Sequence, residues 1–359
     1  MFQCLVIVGV LTAIAGSVSF AESCEVSQSS STEPEIFRRH LIGSCTAEER
    51  ERLAVQADSL FQALKEGKRV DLRGVIIVGD LMLDQLPLQP ISASTLPSAE
   101  AQQVAAERQV EEGRIIQQAV SVHNAVIQGN WATNLRQGLV VILGEFSVTG
   151  TRFEQSVDFS HTFFLQGLNF SNTEILYEGF FVRAHFEKSA IFNKVLFGTH
   201  SRFHKAQFKQ DALFLESRFT GLAEFLEVIF EQGANFRKVQ FQMGTGFSGA
   251  QFAGPAIFSE SLFLREAFFR FASFEQEADF QGVTFQKISD FTDSSFAGHT
   301  NFKDVEFFVP PQFSGTTLEG TEEGVNKQKN VSETLSVLLV FLGFLCVLAW
   351  GVKKWRHSV

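Results

Sequence analysis

From Phe153 to Phe313 the chain places a large apolar side chain at every eleventh residue, in two interleaved series. One series runs Phe153, Phe164, Ile175, Phe186 and on to Phe307. The other runs Phe159, Phe170, Phe181 and on to Phe313, and Ile175 is the one member of either series that is not Phe. Successive members alternate between gaps of six and five residues. A flat strand cannot carry this pattern, because side chains alternate with period two and a gap of five moves the next one to the opposite face. An 11-residue period also suits a right-handed coiled coil. On a helix, however, sites five apart lie about 140° apart and form no single stripe, and Phe, Thr, Ser and Gly are weak helix formers. The chain must therefore turn a corner between one Phe and the next.

A second regularity says how. Two residues before nearly every ladder position stands Ala, Val, Ser, Thr or Gly; Leu168 and Pro311 are the exceptions. A short side whose positions i−2 and i both point inward, followed by a bend, lets the small residue and the Phe share one interior. Each Phe must then lie above another Phe, so the coil length is a whole number of eleven-residue periods. Two periods, closed as four sides of five and six, is the most economical solution. Consecutive coils about 4.8 Å apart would make this stretch a rod roughly 36 Å long. The ladder residues Phe153, Phe159, Phe164, Phe170, Phe236, Phe252, Phe258, Phe280, Phe291, Phe296 and Phe302 are expected to fill its core.

Runs such as "ANF" (Ala234–Phe236), "AQF" (Ala250–Phe252) and "ADF" (Ala278–Phe280) resemble the pentapeptide repeat family, whose units place a small residue two before a central Leu or Phe. "FSGAQFAGPAIFSESLF" resembles its Phe-rich branch, in which units of five and six alternate. The resemblance covers roughly residues 148–313. It implies an all-β solenoid, a right-handed quadrilateral β-helix. The departure is the extra residue in every second unit, which makes each coil longer than the familiar one of four five-residue sides.

The flanks are read from their own residues. Residues 1–21 are apolar and end in Ser19-Phe20-Ala21, which reads as a secretory signal cut after Ala21, or as an N-terminal anchor if it is not cut. Residues 22–68 comprise a polar segment and a helix over Thr46–Lys65, with Thr46 and Glu49 as a capping box. That helix is expected to cap the N-terminal end of the rod. Residues 69–147 read as degenerate coils in which Val120, Val126, Trp131, Ile142 and Val148 keep part of the spacing, interrupted near 88–113 by a polar helical insertion on the surface. Pro310 and Pro311 are placed to blunt the far end of the rod, and 314–334 is a polar linker. Leu335–Val352 carries no charge, is long enough to cross a bilayer as a helix, and is followed by "KKWRH". Basic residues on that flank put the tail, 353–359, in the cytoplasm.

Four cysteines occur. Cys4 lies in the leader and Cys346 in the apolar segment, which leaves Cys24 and Cys45 as a candidate disulfide in an exported body, or else as two free thiols. The sequence thus describes a single-pass membrane protein with an extracytoplasmic body.

Catalytic signatures are missing. His200 and His204 are four apart but straddle Phe203 rather than sharing a helix face. "GTGFSG" (Gly244–Gly249) is no phosphate loop, because its glycines fall inside repeat units and no helix follows. No cofactor or metal site is expected. The whole chain has a formal net charge of −10, and residues 152–313 hold 14 basic and 19 acidic residues with no basic face for nucleic acid. The leading expectation is a non-catalytic, membrane-anchored scaffold or protein-binding rod. Two alternatives stand beside it. The resemblance implies a DNA-mimicking binder of gyrase if the rod faces the cytoplasm, and the irregular residues 88–138 leave room for an enzyme or small-ligand site.

Overall fold

The computed structural model describes residues 24–27, 35–91, 111–133, 139–320 and 322–323, with single positions at 96, 99, 102, 103, 106 and 109. The expected leader, membrane span and cytoplasmic tail lie outside these residues.

The chain is a β-solenoid of about 11 turns. Four sheets run its length, parallel apart from the β1–β2 and β7–β8 pairs, and the chain visits them in turn as first, second, third and fourth faces with 13, 11, 9 and 11 strands. The early elements are β1 (Glu25–Val26), β2 (Ile36–Ile42), α1 (Ala47–Arg52), β3 (Val55–Gln56), α2 (Ala57–Lys65), β4 (Arg69–Arg73), β5 (Ile76–Val78), β6 (Leu81–Met82), β7 (Leu88–Pro90), β8 (Glu112–Ile116), β9 (Val120–His123), β10 (Val126–Ile127), β11 (Trp131–Ala132), β12 (Leu139–Ile142) and β13 (Phe146–Thr149). Beyond them most strands are only two residues long.

Register gives the coil length directly. On the first face Phe146 pairs with Leu168, Leu168 with Ala190 and Ala190 with Ala212, a step of two eleven-residue periods each time. The four sides of five and six residues are therefore the four faces. Inside, rings one coil apart stack: Phe181 on Phe203 at 4.9 Å and 7°, Phe197 on Phe219 at 4.5 Å and 2°. The first-face and third-face columns meet edge-on, as Phe192 and Phe203 do at 5.5 Å and 84°. Both geometries are favoured by the ring quadrupole. The eleven ladder residues expected to fill the core are buried, and Phe307 and Phe313 at the far end are half-buried.

The corners explain the five-residue side. Lys194, Lys205, Glu216, Glu227 and Lys238 all have φ between 54° and 59°, in the left-handed region. Each sits two residues after a ladder Phe, in a tight turn of the kind closed by the Ala206 N–H on the Phe203 carbonyl at 2.9 Å. The turn swings the chain through a corner before the next small residue points inward.

Three features differ from the sequence expectations. The single helix expected over Thr46–Lys65 is two. The Thr46–Glu49 capping box starts α1, but the chain then straightens at β3, where Val55 is buried and pairs with Ile77 of β5. A β-branched residue that seeds the second sheet overrides the helical pattern. Only α2 joins the core, through Ala57, Leu60 and Leu64. The insertion near 88–113 is not simply a surface feature. It leaves and returns as an antiparallel pair, β7 with β8, and Leu96 is buried against Leu139, Val141, Phe163 and Leu165 on the outside of the fourth face. Finally, the coil runs past Phe313: Thr317–Leu318 pairs with Ser295–Phe296, and Glu322–Glu323 with Thr300–Asn301, inside the stretch expected as linker.

Candidate protein-binding face

With small residue and Phe both turned inward, the outside of each coil is carried by the residues between them. On the third face these are the residues one before, one after and two after the ladder Phe, with the corner residues that precede the side. Thr245 and Phe247 point in, so after the exposed corner residue Met243 this side shows only Gly244, Gly246, Ser248 and Gly249 to the outside. The "GTGFSG" run is thus a strip of one coil with almost no outward side chain.

Apolar groups border that strip. Gly246 lies between Glu224 and Phe268 in register. From the coil before, Leu226 leans over Gly246 and Leu222 over Gly244: a Cβ at those glycines would meet the leucine Cδ2 atoms at 2.9 and 3.5 Å. From the coil after rise Phe268 and Phe271, and Met243 and Ile288 stand at the adjoining corner. Leu222, Met243, Phe268, Phe271 and Ile288 are all exposed, Phe271 by 65%. Phe271 also occupies a left-handed corner position, φ 56°, which costs an L-residue roughly 1–2 kcal/mol.

Paired ions flank the apolar strip on both sides. Towards the N-terminal end, the Arg202 Nε donates to Glu224 Oε2 at 2.8 Å and His200 Nε2 lies 2.9 Å from the same oxygen. Burial pushes the Glu224 carboxyl up, but its hydrogen bonds with His200 and Arg202 outweigh this and hold it below the usual range. Towards the other end, Arg270 pairs with Asp290, whose side chain is 1% exposed. An apolar centre with a satisfied polar rim is the anatomy of a protein interface.

The histidines carry no joint chemistry. His200 faces Glu224 and His204 faces Glu227, each within a charged surface pair. His185 is fully buried on the fourth face, stacked on Phe163 at 5.0 Å, with Glu187 3.0 Å and Gln207 3.2 Å from its ring nitrogens. Burial keeps its pKa below the ordinary histidine value. Among the described residues no group of three or more His, Cys, Asp or Glu can hold a metal ion, and no helix is long and apolar enough to cross a membrane. Cys24 and Cys45 are joined by a disulfide, far along the chain from the apolar face.

The sequence did carry a signal for this face. Within the regular coils Phe163, Phe180, Phe268, Phe271 and Phe308 fall off both eleven-residue series. Phe163 is covered by Leu96, Arg202 lies over the Phe180 ring at 5.2 Å, and Arg270 over the Phe268 ring at 5.9 Å. Phe268, Phe271 and Phe308 remain exposed.

Comparison with known families finds one match: pentapeptide repeats, nine copies, over residues 214–262. That stretch contains Leu222, Leu226, Met243 and the glycine strip. No curated protein and no solved structure matches the chain.

Proposed function

This chain carries the pentapeptide repeat, and on that footing we propose that it is a non-catalytic rod that binds another protein through the third face. The observation that carries this reading is the contrast between two sets of outward apolar residues. On the fourth face Phe163 and Leu165 are covered by an element of the chain itself. On the third face Leu222, Met243, Phe268, Phe271 and Ile288 are exposed, with the Arg270 guanidinium over the Phe268 ring. Contiguous exposed apolar patches on a soluble surface mark interaction sites. The glycines between them let Leu222 and Leu226 lie flat on the rod and widen the apolar surface.

The rod is tethered at an extracytoplasmic membrane surface. In support stand the signal-like residues 1–21, the uncharged Leu335–Val352 with its basic flank, and the Cys24–Cys45 disulfide, a bond that persists in oxidising compartments. At the N-terminal end α2, with Leu60 and Leu64 against the first coils, acts as the cap that shields the inner core from water.

The test is capture from solubilised membranes by residues 22–333 and by the same body carrying Phe268→Glu and Phe271→Gly. Glycine suits the left-handed position of Phe271, so that substitution removes the ring without straining the corner. A protein held by the wild-type body should be lost at least tenfold with the double variant and kept with Arg218→Ala on the second face. Equal capture by both bodies defeats the reading.

A further inference from the structure

Another face of the rod concentrates polar chemistry. On the outside of the first sheet β2, β4, β9 and β13 lie side by side in register. One row reads Arg38, Asp71, Ser121, Ser147, and the row two residues further on reads His40, Arg73, His123, Thr149. Residues two apart on a strand share a face, so these eight side chains form a grid on one patch.

The grid is partly self-satisfied, and the exception is informative. Asp71 accepts from Arg38 Nε at 3.0 Å and lies 2.7 Å from His40 Nε2, so its charge is already matched. Both ring nitrogens of His123 rest on hydroxyls, Ser121 Oγ at 2.9 Å and Thr149 Oγ1 at 2.6 Å. Arg73 stands between His40 and His123, is exposed, and makes no hydrogen bond or ion pair among the described residues. Arg50 of α1 reaches the same corner, donating to the Gly74 carbonyl at 3.0 Å and the Asn124 carbonyl at 3.4 Å. The local field is positive. Burial lowers the His123 pKa, the charges of Arg73 and His40 lower it further, and Asp71 opposes them.

We propose that Arg73, with the hydrogen-bonded Ser121–His123–Thr149 group beside it, binds a phosphate or sulfate monoester. The free guanidinium offers two parallel N–H donors to such an oxyanion. Neutral His123 donates to one of the two hydroxyls and accepts from the other, so the hydroxyl that receives the ring N–H keeps its own O–H to donate to a further oxygen of the ester. Acyl transfer is the lesser reading of the same atoms. Ser121 has the distance of a nucleophile to its base, but the far nitrogen of His123 meets a hydroxyl, whereas a triad orients that nitrogen with a carboxylate. The one carboxylate in the grid is held by Arg38 and His40. This site lies on a different face from the apolar strip and does not depend on it.

Calorimetric titration of the full chain in detergent with inorganic phosphate, and separately with sulfate, tests the proposal. Wild type should bind one oxyanion per chain, Arg73→Gln should weaken it at least tenfold, and Arg218→Gln, on the second face, should leave it unchanged. Arg73→Lys should fall between, since it keeps the charge and loses the fork. Absence of saturable binding to wild type, or equal binding by Arg73→Gln, overturns it. Phosphatidylcholine vesicles with and without phosphatidate separate the sources. Phosphatidate-dependent flotation lost in Arg73→Gln assigns a lipid headgroup, and phosphate binding without such flotation assigns a soluble ester.

Discussion

At the scale of single residues, position in the eleven-residue period decides burial. Phe236 is stacked between Phe214 and Phe258 at 4.8 and 5.0 Å and meets Phe225 and Phe247 edge-on. Phe236→Ala should cost about 3–5 kcal/mol, mostly through the cavity it leaves. Arg218→Ala, at an exposed position, should cost below about 0.5 kcal/mol. Urea denaturation midpoints would show the difference, and similar losses at both sites would contradict the inward assignment. Asp290 shows what the period does not reveal. It occupies an outward position of the third face, yet it is buried beneath Arg270. Burial pushes its carboxyl up, but hydrogen bonds from Thr292 and the Arg270 guanidinium outweigh that and leave the pKa lowered. A carboxyl lowered on folding stabilises above its unfolded value, near pH 4, and that stabilisation is lost as pH falls through the folded value. Asp290→Asn should therefore flatten the acid limb of stability between about pH 4 and the onset of acid unfolding, measured by thermal melting across pH. The inward residues were legible because they repeat. Phe268 and Phe271 were legible only as departures, and what covers an outward ring depends on residues a full coil away.

At the scale of elements, each side of the rod is too short to be stable alone and exists through its neighbours above and below. This is why propensity misjudged residues 46–65. The helical stripe is real, but Val55 and Gln56 gain more as the first strand of the second sheet than as a helical turn. The far end follows from the same bonding. On the third face the residue two before each ladder Phe donates its N–H to the next coil, as Thr245 does to the Glu266 carbonyl and Ala267 to Ile288, each at 2.9 Å. Pro311 holds that position in the last coil and has no N–H to offer. Towards the coil before, the Gln312 N–H still reaches the Ser289 carbonyl at 2.9 Å and an isolated bridge joins Asp290 to Gln312, so what Pro311 removes is the donor to a further strand. Pro311→Ala restores a donor on an open edge and should promote end-to-end association. Sedimentation velocity over a range of concentrations would show it as added dimer, and an unchanged mass distribution would sink the idea.

At the scale of the whole molecule, the two-period coil was legible from Phe spacing, whereas the first coils were not. There Val, Leu and Ile replace Phe, and the steps on the first face lengthen: Val70 pairs with Val120, more than two regular coils further along the chain, and Val120 with Phe146. Register shows where the extra length goes. Between third face and fourth, Val157 and Thr162 stand five apart, Trp131 and Val140 nine apart, and Leu81 and Arg114 thirty-three apart. Both enlargements open at one corner. The first coil holds one more enlargement, between the first and second faces, where Phe37 pairs with Val70 thirty-three residues on but Val55 with Ile77 only twenty-two. From Thr162 to Phe307 the spine keeps its count, because a single added residue would turn Phe outward along a side. The rod thus separates a fixed scale from the corners of its early coils, at which chain can be spliced in. The longer insertion returns through β7 and β8 and sets Leu96 over the fourth face, so what it adds is held at a set height along the rod.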